Sequence, residues 1–263
     1  MRKLIPVFIL VTLIVTACAS KQQQSIVLFA GMGMKDAVEE IASTYEKASG
    51  IKVKINLACS ATLAKQLKSG AKADVVVFAS KQWADYSDNI KAVKSESRET
   101  LAGNKLVVIA PKASEMPSFV ISKTCNFPML FSGRLSIGDP ESVPAGKYCI
   151  KSLKYYGWED DLKSRLLPAK DVRAALRTVE LGETEAGVVY ASDAFKSDKV
   201  KIVAIFPEES HPPIRFICFE TAQCTGKTNE FYKYFTSGKA KLIWRKHGFE
   251  MLEKEGSPDL SAR

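Results

Sequence analysis

Ser25-Ile-Val-Leu-Phe-Ala30, Ala37-Val-Glu-Glu-Ile-Ala-Ser-Thr-Tyr45, Ile51-Lys-Val-Lys-Ile-Asn-Leu57, Leu63-Ala-Lys-Gln-Leu67 and Asp74-Val-Val-Val-Phe-Ala79 follow one another in the first third of the chain. The first and last are short apolar runs, the pattern of strands buried on both faces. Ile51–Leu57 alternates strictly and reads as a third strand. Between them Ala37, Val38, Ile41, Ala42 and Tyr45 recur at helical spacing, and Gly50 closes that helix. Leu63–Leu67 continues as a short helix that ends near Gly70. A β-α-β-α-β order implies a parallel sheet with right-handed crossovers.

Outward from this unit the same alternation continues. Trp83–Asn89 reads as a helix. Strands fit Lys105–Ala110, Arg134–Ile137, Ala186–Tyr190, Val200–Ile205 and Ile214–Phe219. Helices fit Ala145–Tyr156, Val172–Leu181, Glu230–Phe235 and Lys239–Lys246, and the tail after Gly256 reads as frayed. These are too many α/β units for one small sheet, so two lobes are expected, with the chain crossing near Leu106 and returning near Phe206.

Upstream, Arg2 and Lys3 precede an apolar run, Leu4–Val15, that is too short to span a bilayer. This is the pattern of a secretory signal peptide over residues 1–17. It ends in Val15-Thr-Ala-Cys18, which resembles the bacterial lipobox, in which the cysteine becomes the acylated first residue. Residues 18–24 then form a lipidated Cys18 and a short polar tether. The expected location is the extracytoplasmic face of the cell membrane.

The chain has 263 residues and a net charge of +9; removing Arg2 and Lys3 with the leader lowers it by two, to +7. The lysines are scattered, and no basic patch interleaved with aromatics suggests nucleic acid. Cysteines stand at 18, 59, 125, 149, 218 and 224. Either the Cys218–Cys224 or the Cys125–Cys149 pair could close, because spacing does not fix connectivity. Two histidines, His211 and His247, rule out a His-rich metal site.

Four loops of small or polar residues run straight into helices: Gly31-Met-Gly-Met34, Cys59-Ser-Ala-Thr62, Val143-Pro-Ala-Gly146 and Lys170-Asp-Val-Arg173. The first turn of a helix leaves N–H groups unpaired and partly positive, and small residues let an anion approach them. One such loop says little, since Ser60 alone reads first as a helix cap and Tyr190 alone reads first as a core-edge aromatic. Four carry weight only if they converge. Cys59, Met32 and Met34 read first as packed loop residues, and Arg173 and Asp193 as structural groups at a hinge or helix end.

Several further stretches occur in a specific order: Ala61-Thr-Leu-Ala-Lys-Gln66, Gly70-Ala-Lys-Ala-Asp-Val75, Gly103-Asn-Lys-Leu-Val-Val108, Gly138-Asp-Pro-Glu-Ser-Val-Pro-Ala-Gly146, Val189-Tyr-Ala-Ser-Asp-Ala194 and Phe206-Pro-Glu-Glu-Ser-His211. Together with Asp171-Val-Arg173 they make residues 25–249 resemble the periplasmic molybdate-binding proteins of bacterial ABC importers. The resemblance implies an α/β, two-lobed periplasmic-binding-protein fold of the second type, each lobe a mixed sheet flanked by helices. Lobe I would take residues 25–105 and 207–263, and lobe II residues 106–206, with a hinge between them.

It also implies a ligand, molybdate or tungstate, held as an intact oxyanion with no direct ligation of the metal. The contacts would come from Gly33, Ser60, Ala145, Val172 and Tyr190: hydroxyl and N–H from Ser60, N–H groups from Ala145 and Val172, the phenol from Tyr190. Gly33 stands where the family usually has Ser, so one donor hydroxyl is missing and only a main-chain N–H remains. The implied partners are a transporter permease and the membrane, with the protein a monomer that uses no cofactor. Three alternatives stay open: a binding protein for sulfate or another oxyanion, an enzyme on this fold with Cys59 or Asp171 as the reactive group, and a lipoprotein that senses or adheres with no transport role. No nucleophile–base pattern or cofactor motif favours the enzyme.

Overall fold

A computed structural model describes residues 25–224 and 226–252. The expected leader, Cys18, the tether and the frayed tail lie outside the described residues. In chain order, the first lobe opens with β1 (Ile26–Gly31), a 3-10 turn (Met32–Met34), α1 (Lys35–Ser49), β2 (Val53–Ala58), α2 (Ser60–Lys68), β3 (Val75–Phe78), α3 (Lys81–Asn89) and β4 (Glu99–Gly103). The second contains β5 (Leu106–Pro111), β6 (Leu135–Gly138), α4 (Pro144–Tyr156), α5 (Glu159–Leu162), β7 (Leu166–Ala169), α6 (Val172–Glu180), β8 (Ala186–Tyr190), α7 (Ala191–Phe195) and β9 (Val200–Ile205). The chain then returns through β10 (Arg215–Glu220) to α8 (Gly226–Phe235) and α9 (Gly238–Lys246).

Two five-stranded sheets result, in the orders β2-β1-β3-β10-β4 and β7-β6-β8-β5-β9. They share one plan. In each, three strands run parallel, and the fourth, antiparallel, is the strand that has just arrived from the other lobe. The two crossings lie side by side, since the Phe206 N–H donates to the Leu106 carbonyl at 2.9 Å. Asn104 stitches the same region by donating from Nδ2 to the Ser192 hydroxyl at 2.8 Å.

Alternation along β1 distributes side chains to both faces of its sheet. Leu28 and Ala30 join the core that α1 covers with Ala37, Val38, Ile41 and Tyr45. Phe29 points the other way and packs with Leu63, Val76, Phe78 and Phe219 beneath α2 and α3. Each large side chain so buried contributes roughly 1.5–3 kcal/mol. Gly50 ends α1 in the left-handed conformation (φ +73°), its N–H donating to the Glu46 carbonyl at 2.9 Å.

The expected helices and buried strands are present, some with shifted ends. Two strands were not anticipated. Both lie at sheet edges: β4 pairs with β10, its end at Gly103 also bridging Glu250, and β7 pairs with β6. Strand β7 is partly exposed and carries Pro168, which suits an edge and breaks the apolar pattern of a central strand. The disulfide expectation is corrected: neither pair closes among the described residues. The Cys218 thiol lies on Tyr232 (3.9 Å) under α8, while the Cys224 sulfur lies 2.7 Å from the Thr228 hydroxyl. Cys149 is fully buried in the second lobe's core and Cys125 sits in a half-buried loop.

Candidate functional site

The four loops converge. Gly31, Met32 and Gly33 from the first, Cys59 and Ser60 from the second, Val143, Pro144 and Ala145 from the third, and Asp171 and Val172 from the fourth line one small cavity of about 20 Å³, with Ala79 and Tyr190. All five residues expected to touch a ligand are therefore brought together, and among the described residues no Lys, Arg or His lines the space.

Three helices of nine or more residues point their N-termini here: α2, α4 and α6. Ser60 is the first helical residue of α2; the cap position itself is Cys59, whose side chain makes no capping bond. The Ser60 hydroxyl is 1 % exposed and accepts the Ala79 N–H at 3.0 Å, so its own proton is left to donate. In α4, Pro144 occupies the first turn, where its missing N–H costs nothing, and the N–H of Ala145 belongs to the turn's unpaired set. A Cβ on Gly146 would sit 1.9 Å from the Gly138 carbonyl oxygen, so only glycine lets α4 lie this close to β6. Asp171 caps α6 by accepting the Ala174 N–H at 2.8 Å, which places Val172 at the first helical position.

Tyr190 ends β8 with its hydroxyl buried and, among the described residues, without a hydrogen-bond partner. Burial above all, with Tyr148 and Asp193 nearby, holds its phenol well above the usual range, so it stays a neutral O–H donor. Phe216 packs edge-on against its ring at 5.7 Å.

Gly33 does not have a positive φ, so its backbone suits any L-residue. Space is what limits it: a Cβ would lie 3.1 Å from Val172 Cγ1 and 3.5–3.6 Å from both Asp193 carboxylate oxygens. The two lobes thus meet face to face at this glycine. Beside it, Arg173 spans them, Nη2 lying 2.6 Å from Asp36 on α1 and Nε 2.7 Å from Asp193. Asp193 is fully buried, and burial pushes its carboxyl up to about 7 against the pull of Arg173. Asp36 was missed in the sequence. As the acid in the first turn of α1 it reads there as a favourable helix-dipole residue, and nothing local reveals its partner.

The family profile of the bacterial extracellular solute-binding proteins matches residues 26–250. The Escherichia coli molybdate-binding protein ModA is 40% identical over 233 residues, covering 88% of this chain and 91% of ModA. The chain belongs to the ModA-like group of the bacterial extracellular solute-binding proteins. A Bacillus subtilis relative of this solute-binding protein, the putative ABC transporter substrate-binding lipoprotein YvgL, is 34% identical over 249 residues, covering 90% of this chain and 93% of the relative. The Azotobacter vinelandii periplasmic molybdate-binding protein superposes with a TM-score of 0.75 at 21% identity, over 87% of this chain and 100% of that one. That likeness establishes the ModA-like fold: two lobes, each a mixed sheet flanked by helices.

Proposed function

We propose that this protein captures molybdate or tungstate between its lobes and delivers it to an ABC-importer permease, working as a monomer tethered outside the cell membrane through acylated Cys18. The observation that carries the reading is the convergence of three helix N-termini, the Ser60 hydroxyl and the partnerless Tyr190 phenol on one cavity without a cationic side chain. A tetrahedral dianion accepts hydrogen bonds at every oxygen and needs no proton acceptor from its host. Neutral, fixed donors satisfy it, and the helix ends add positive partial charge. Avoiding a direct ion pair keeps the cargo releasable.

In this reading Ser60 donates its hydroxyl proton and N–H, Ala145 and Val172 their N–H groups, and Tyr190 its phenol proton. Gly33 gives a main-chain N–H where a serine would add a hydroxyl. The relative YvgL, a putative substrate-binding lipoprotein, supports the anchor, as does the Val15–Cys18 lipobox pattern. More than one acyl chain gives stable anchoring, so Cys18→Ala is expected to move the protein to the soluble fraction. Calorimetric titration with molybdate, tungstate, sulfate and phosphate tests the ligand. Saturable 1:1 binding of the first two, with sulfate and phosphate much weaker, is expected. Tight sulfate binding with no molybdate response would assign the protein to the other oxyanion.

A further inference from the structure

A cleft of about 960 Å³ adjoins the oxyanion cavity. The two share Pro144, and Ser80 of the cleft follows Ala79 of the cavity in the chain. Both lobes build it. Helix α4 of the second lobe presents Pro144, Lys147, Tyr148 and Lys151, a single stripe at helical spacing, while Arg215 and Lys241 come from the first lobe's side.

The lining is strongly cationic, and its charges divide into two kinds. Lys81 and Arg98 are each within 2.6–2.8 Å of Asp85, Arg98 also lies 3.8 Å from Asp88, and Lys241 lies 3.6 Å from Glu99. These are neutralised in place. Lys147, Lys151 and Arg215 have no carboxylate at ion-pair distance among the described residues. Lys147 instead reaches across to Gln82 at 3.4 Å and over the Trp83 ring at 5.5 Å. The contrast with the adjoining cavity is sharp: the inner space has no cation, and the outer one has three that are uncompensated.

We propose that this cleft is the receiving chamber for the incoming oxyanion, in which Lys147, Lys151 and Arg215 draw a small dianion from solution and pass it inward past Pro144. This inference rests on the oxyanion reading of the inner cavity. Low-dielectric walls lined with one sign of charge focus the field and raise the local concentration of the opposite ion, speeding association by about 10- to 1000-fold. Charges kept out of the inner cavity do not hold the bound anion, so they act on the rate of arrival and not on the rate of escape. The division reconciles fast capture with neutral, releasable binding.

Stopped-flow fluorescence with molybdate, at low and high ionic strength, separates the outcomes. The triple variant Lys147→Gln, Lys151→Gln, Arg215→Gln is compared with the parent. A second variant, Lys47→Gln, Lys112→Gln, Lys163→Gln, removes the same charge from exposed positions outside the cleft. The expected result is association about tenfold slower for the cleft variant at low salt, converging with the parent at high salt as screening takes over. Dissociation should stay within twofold, and the distal variant should associate nearly as fast as the parent. The charge-keeping variant Lys147→Arg, Lys151→Arg, Arg215→Lys should restore fast association, which excludes misfolding as the cause. Equal slowing by the cleft and distal variants, or no slowing by either, would overturn the chamber while leaving the inner site intact. A parent that does not bind molybdate at all would remove the oxyanion reading and this inference with it.

Discussion

Ser60 and Tyr190 come to the cavity by different routes, one from a helix start and the other from a strand end, yet both arrive buried with a proton to donate. If they are donors to a dianion, Ser60→Ala and Tyr190→Phe should each weaken molybdate binding roughly ten- to a hundredfold, the equivalent of about 1.5–3 kcal/mol for a hydrogen bond to a charged group. Titration calorimetry reads this directly, and parent-like affinity in both variants would dismiss the assignment. Asp193 makes a different prediction. Its carboxyl is raised by burial, so the folded chain holds a proton that the unfolded chain releases. The resulting stability is fully present below the usual carboxylate range and is lost as pH rises toward about 7. Urea midpoints should therefore fall between pH 4 and 7 more steeply in the parent than in Asp193→Asn. Parallel pH profiles would show that Arg173 fully compensates the buried carboxylate.

The elements divide into those the sequence displays and those it hides. Central strands such as Val75–Phe78 are buried throughout and stand out as apolar runs, and the α1 face from Ala37 to Tyr45 is legible from spacing alone. The edge strands divide: β2 and β9 keep a readable pattern, whereas the short β4, and β7 with its exposed Pro168, do not. The four loops were legible as helix starts. Their convergence was not, since it depends on how two separately built sheets face each other; family resemblance supplied it before geometry did. Arg173 and Asp36 show the same limit, being 137 positions apart in sequence and 2.6 Å apart in space. Among the described glycines, Gly146 leaves the least room for a Cβ, which would meet the Gly138 carbonyl. Gly146→Ala should cost roughly 3 kcal/mol, at the upper end for overpacking, and should weaken oxyanion binding because it displaces the α4 N-terminus that carries Ala145. Denaturant unfolding and titration of the same variant check both, and a parent-like result in each would contradict the close packing.

At the scale of the whole molecule, the shared sheet plan and the adjacent crossings give two lobes, each with its own sheet, joined where the chain crosses twice side by side. Contacts at Gly33, Val172 and Asp193, and the Arg173–Asp36 ion pair, form only when the lobes are together. An anion touching both lobes favours that arrangement by its differential affinity for it. Small-angle scattering should then report a smaller radius of gyration at saturating molybdate, and an unchanged value would argue against hinge closure. The central claim is that the cavity where the four loops meet is the oxyanion site. A crystal of the protein grown with tungstate tests it most directly, because the metal marks its own position by anomalous scattering. The account predicts one strong peak between the lobes, with oxygens at hydrogen-bond distance from Ser60, Ala145, Val172 and Tyr190. A peak elsewhere, or none there at a tungstate concentration that saturates binding in solution, would contradict it.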